Sequence, residues 1–79
     1  MNWVINYTET VRKQLKKLDK KTVKRILDYM DERVLKSENP RSAGQSLRGS
    51  LGGLWRYRVG NFRIICDIQD NLLQVLVAQ

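Results

Sequence analysis

Five arginines, Arg41, Arg48, Arg56, Arg58 and Arg63, fall between positions 41 and 63, a stretch with no lysine and no acidic residue. A guanidinium is a planar fork that stays charged at physiological pH and matches phosphate oxygens two at a time. The chemistry such a block offers is recognition of a polyanion and stabilisation of charge that develops on a phosphoryl group. It offers no proton transfer, because an arginine is a poor general base. The chain has no histidine and a single cysteine, Cys66, which excludes structural zinc sites and the usual nucleophile–histidine pairs. No two carboxylates form a close pair by spacing, and Asp67 most simply balances the nearby arginines.

The rest of the charge is of a different kind. The 79 residues carry 15 basic and 8 acidic side chains, a net charge of +7 that points toward a polyanionic partner such as nucleic acid or an acidic protein. Lysine predominates in the first 36 residues, where it reads as solvated helix surface with a secondary role in docking to a large anionic body. With 42% apolar and 29% charged residues the composition is that of one ordinary globular domain, not a disordered or fibrous chain. An unpartnered Cys66 suits a reducing cytoplasm. The longest apolar-rich stretch, from Leu72 to Ala78, is far short of a membrane span, and the N-terminus lacks the basic start of a secretory signal.

The elements that must position the arginines follow from periodicity. Alternating Trp3, Ile5 and Tyr7 predict a short first strand. Thr8 caps a helix to about Leu18, with Glu9 in its first turn and Val11, Leu15 and Leu18 on one side. Asp19 caps a second helix to about Lys36, with a stripe of Val23, Ile26, Leu27, Met30 and Val34. The stretch from Ser37 to Gly53, with the only proline and four of five glycines, reads as a long loop in which Leu47-Arg48-Gly49 has local order. Strands at 54–59, 62–69 and 72–79 are separated by Gly60-Asn61 and Asp70-Asn71, both two-residue hairpin signals. The expected fold is α+β: an N-terminal strand, an antiparallel helical hairpin, then a three-stranded antiparallel meander, in one sheet with the helices on one face.

A two-residue turn at Gly60-Asn61 pairs Val59 with Phe62, Arg58 with Arg63, Tyr57 with Ile64 and Arg56 with Ile65. One face then collects Trp55, Tyr57, Val59, Phe62, Ile64, Cys66 and Ile68, joined by Leu73, Val75 and Val77, as a seat for Val11, Leu15, Val23, Ile26, Leu27 and Met30. Trp55, Tyr57 and Trp3 read as core packing, and Cys66 as an inert buried thiol. The other face shows Arg56, Arg58 and Arg63 and is covered by no element of the chain. Arg58 opposite Arg63 is an unfavourable like-charge pair that a bound phosphate would neutralise. Two readings stand: arginines splaying into water, or an anion-binding surface. Arg48 either bridges locally or joins that surface.

The order strand, helical hairpin, L-R-G at Leu47 to Gly49, W-R-Y-R-V-G-N-F-R from Trp55 to Arg63, and the strand I-I-C-D-I resembles the RelE toxins of bacterial and archaeal type II toxin-antitoxin modules, over essentially the whole chain. The resemblance implies a ribosome-dependent endoribonuclease that cuts mRNA in the A site, with no metal or other cofactor and no membrane. By position it makes Arg56, Arg58 and Arg63 the catalytic basic residues and adds Arg48 to the RNA-binding set. It implies a RelB-like antitoxin as partner, besides the ribosome and its mRNA. The chain is thus read as a single RelE-like toxin domain over residues 1–79, cytoplasmic. It departs from the family pattern at Gln79, where members continue into a basic tail that supplies a further arginine and a tyrosine or histidine; weak cleavage is the expectation without it. Two alternatives remain, a ParE-like toxin that acts on DNA gyrase without nuclease activity, and a plain basic RNA-binding module.

Overall fold

A computed structural model describes residues 3–47, 53–69 and 71–79. Its sheet has five strands, β1 (Val4–Tyr7), β2 (Gln45–Ser46), β3 (Leu54–Val59), β4 (Phe62–Gln69) and β5 (Leu72–Ala78), in the order β1-β5-β4-β3-β2. Helices α1 (Glu9–Lys16) and α2 (Lys20–Tyr29) cover one face, and a π-helical stretch, Met30–Leu35, prolongs α2. The expected α+β fold is therefore observed, with one addition. The stretch read as a loop contains a 3-10 turn at Pro40–Ser42 and the two-residue strand β2, which pairs with Trp55 and Arg56. So short a strand leaves no periodic signal.

The chain ends of the sheet are joined by Thr8. Its Oγ1 accepts from the Val11 N–H, capping α1, and donates to the Val75 carbonyl at 2.8 Å. This fixes where β1, parallel to β5, turns into helix. Beyond Tyr7, β1 no longer flanks β5, and on that edge the Ala78 N–H donates instead to Gln14 Oε1 of α1 at 2.8 Å. The helix thus satisfies a backbone donor that the sheet leaves unpaired.

The core is Val11, Ile26, Met30 and Val34 from the helical layer against Tyr57, Val59, Ile64, Cys66, Ile68, Leu73, Val75 and Ala78. Two expectations are corrected. Val77 is not on the core face: a bulge between the Ile65 and Cys66 pairings places Val77 opposite Ile65, and Ala78 takes the core position opposite Ile64. An alternation counted through the strand cannot anticipate the extra residue. Val23 and Leu27 also lie outside the buried cluster; with Leu15 and Leu18 they line a lysine-edged groove between α1 and α2. Cys66 is fully buried, and burial pushes its thiol up to about 12, which keeps it protonated and inert.

Candidate anion-binding face

The β3–β4 hairpin has the predicted register, with Arg58 opposite Arg63, Arg56 opposite Ile65 and Val59 opposite Phe62. Gly60 turns the chain at φ +59, the left-handed conformation that suits glycine at the first position of a type II′ turn. The Arg63 N–H and carbonyl both bond to Gln79, at 2.6 and 3.0 Å. Its backbone groups therefore point away from Arg58, and the pair is of the non-hydrogen-bonded kind, in which facing Cα atoms approach to about 4.5 Å. This is the closer of the two antiparallel spacings, and it is occupied by two cations.

The three arginines have different freedom. Arg56 is half-buried and its Nη2 donates to Gln45 Oε1 of β2 at 2.7 Å, so the short edge strand orients it. Arg58 and Arg63 are exposed, and among the described residues neither makes a side-chain hydrogen bond or an ion pair. Asp67 does not balance them. It lies between Leu54 and Gln74 in the sheet, and its carboxylate accepts from Gln69 Nε2 at 3.2 and 3.3 Å. Arg41, the first arginine of the block, points elsewhere: its Nη2 donates to the Ile68 carbonyl at 3.0 Å. Arg48 lies outside the described residues.

Behind this face the loop is bolted to β3. Trp55 Nε1 donates to the Ala43 carbonyl and the Tyr57 hydroxyl to the Pro40 carbonyl, each at 2.6 Å. Trp55 and Tyr57 thus carry the core roles expected of them. The Tyr29 ring meets Tyr57 edge-on at 6.1 Å. Tyr29, Gly44, Gln45, Arg56 and Arg58 bound a shallow depression beside β3. Sequence reasoning missed Tyr29 and Gln45 there. Tyr29 had a signal, its four-residue spacing from Arg25 and Arg33 on one side of the helix. Gln45 had none.

What the arrangement can do chemically is hold an anion between two uncompensated guanidiniums, with a third kept in place by an amide. Among the described residues no cluster of ligands suits a metal ion, and no helix is long and apolar enough to cross a membrane.

Known proteins share this frame. The toxin-antitoxin complex RelBE2 from Mycobacterium tuberculosis contains a chain that superposes with a TM-score of 0.86 at 23% identity, over 100% of this chain and 91% of that one. The archaeal RelE–RelB complex from Pyrococcus horikoshii gives 0.74 at 26% identity, over 100% and 94%. The YoeB dimer from Staphylococcus aureus gives 0.68 at 21% identity, over 100% and 97%. No curated protein matches the sequence. Residues 5–78 match the family described as the ParE toxin of the type II toxin-antitoxin system parDE. A match spanning β1 to the end of β5 places the chain in that family: it is a type II toxin of the ParE and RelE kind.

Proposed function

We propose that this toxin acts as RelE toxins do, as a ribosome-dependent endoribonuclease that cuts mRNA in the A site, with Arg56, Arg58 and Arg63 at the scissile phosphate. The observation that carries the reading is the Arg58–Arg63 pair, uncompensated and exposed among the described residues. In the reaction the ribose 2′-oxygen bonds to the adjacent phosphorus, the bond from phosphorus to the 5′-oxygen breaks, and a 2′,3′-cyclic phosphate forms. Negative charge accumulates on the phosphoryl oxygens, which the two arginines facing one another across β3 and β4 would stabilise. The 2′-hydroxyl must lose a proton and the leaving oxygen gain one. Arginines do neither, and Tyr7 and Tyr57 are held protonated by burial, so the ribosome or other groups handle the protons.

The partner of this reading is a RelB-like antitoxin that covers the basic face and blocks ribosome entry. Primer extension on mRNA in a purified translation system tests the function. Arg58→Ala and Arg63→Ala should each lower cleavage by about 10²-fold or more with the fold intact. Unchanged cutting by both variants would overturn the assignment. The family match favours a second reading, a ParE-like toxin acting on DNA gyrase. Inhibition of gyrase supercoiling, without mRNA cleavage, would establish it in place of the first.

A further inference from the structure

Arg58 borders two depressions. The one beside Arg56 and Gln45 is shared with Tyr29; the other, also lined by Tyr29, continues to Arg25, Arg33 and Gly60. Sharing Tyr29 and Arg58, they form one groove beside β3, from Arg56 at its pairing with β2 to the turn at Gly60, with α2 and the π-helical stretch after it as the second wall. Arg25 sits against the hairpin turn: a methyl group added at Gly60 would lie 3.1 Å from its Nη1. Two carboxylates also border the groove, but each is taken by a lysine. Asp28 Oδ2 is 2.6 Å from Lys24 Nζ, and Glu32 Oε2 is 3.3 Å from Lys36 Nζ. The charge left over belongs to Arg25, Arg33, Arg56 and Arg58, which make no ion pair among the described residues.

We infer that this groove carries the RNA strand flanking the cut phosphate, with backbone phosphates on Arg25 and Arg33 and an unpaired base against Tyr29. The inference rests on the reading above that the substrate is RNA, and it extends the contact surface from the sheet onto α2. Arg25 in α2 and Arg33 in the π-helical stretch that prolongs it are eight residues apart, on the order of 10 Å along the axis, which suits two separate phosphates of one strand and not a single one. A half-buried aromatic ring between cations is the pairing that single strands use, since every unpaired base offers a face to stack. An acidic polypeptide would use the cations but has no use for the ring.

The test is fluorescence anisotropy with a labelled ten-nucleotide 2′-O-methyl RNA, which cannot be cut. Arg25→Gln/Arg33→Gln should weaken binding about tenfold at 0.15 M salt and flatten the log K against log salt slope by about 1.4, the loss of two single-strand phosphate contacts. Lys16→Gln/Lys17→Gln on α1 removes the same charge and should change affinity less than threefold. If the wild type binds and Arg63→Gln weakens it while the α2 variant does not, the groove assignment fails and the catalytic reading stands. If the wild type does not bind, and does not cut mRNA on ribosomes, both fail. Equal, Arg25- and Arg33-dependent binding of polyglutamate would make the groove an acidic-protein dock and overturn the RNA path.

Discussion

Arg58 and Arg63 face one another in the closer, non-hydrogen-bonded register of the β3–β4 hairpin, because the Arg63 backbone spends both of its bonds on Gln79. Like charges directly opposite cost a few tenths of a kcal/mol when nothing lies between them. Arg63→Gln should therefore raise the folded stability by about 0.3–0.5 kcal/mol at low salt while removing activity. Urea titrations in dilute buffer and in 0.5 M salt check this; the gain should shrink in high salt as screening shortens to a few ångströms.

Gly44 lies where the loop meets β3, at φ +76. A methyl group there would collide with the Arg56 carbonyl and lie 2.7 Å from Trp55 Nε1. Backbone cannot yield as a flexible side chain does, so Gly44→Ala should cost more than about 2 kcal/mol, combining left-handed strain with the clash. Gly60→Ala meets the end of Arg25 instead, and only the strain of about 1 kcal/mol should appear. Thermal unfolding of the two variants should rank them in that order.

Tyr57 is fully buried and its hydroxyl has the Pro40 carbonyl as partner. Tyr57→Phe keeps the ring and its contact with Tyr29 but strands that carbonyl, a loss of about 1–2 kcal/mol. Faster proteolysis within residues 37–47 is the local readout, since this bond and the one from Trp55 to Ala43 hold the segment down.

Alkali should unfold the protein from about pH 9 upward. Burial raises Cys66 from 9.0 to about 12, and raises Tyr7 from 10.0 to about 12 with further help from Asp31 and Cys66. Below pH 9 the thiol is protonated in both states and adds no pH dependence. Above it the unfolded chain releases the proton and the folded chain does not, so the unfolded state binds fewer protons and stability falls by up to about 1.4 kcal/mol per pH unit. Cys66→Ala starts less stable at pH 7, and its deficit should narrow by about 1 kcal/mol by pH 10, as read from urea midpoints.

The hairpin register was legible because Gly60-Asn61 admits one pairing, and that pairing alone places Arg56, Arg58 and Arg63 on one face. The bulge at Val77 was not, since no residue type in Leu72–Ala78 marks an inserted position. Nor was β2, two residues long and recognisable only through the partner strand. The hydrophobic stripe on α2 gave its buried side through Ile26, Met30 and Val34, but a stripe does not tell which members reach the sheet. Val23 and Leu27 did not. The basic groove needed three dimensions, because Arg25 and Arg58 are brought together only when α2 settles along β3.

The bond from the Thr8 hydroxyl to Val75 spans 67 residues, and among the described residues β1 pairs with β5 alone. During synthesis the first strand thus emerges long before the strand it must lie beside. Helices can form early, yet the sheet that aligns the arginines closes only when Leu72–Ala78 has left the exit tunnel. A toxin built in this order has no assembled arginine face until β5 is free to pair.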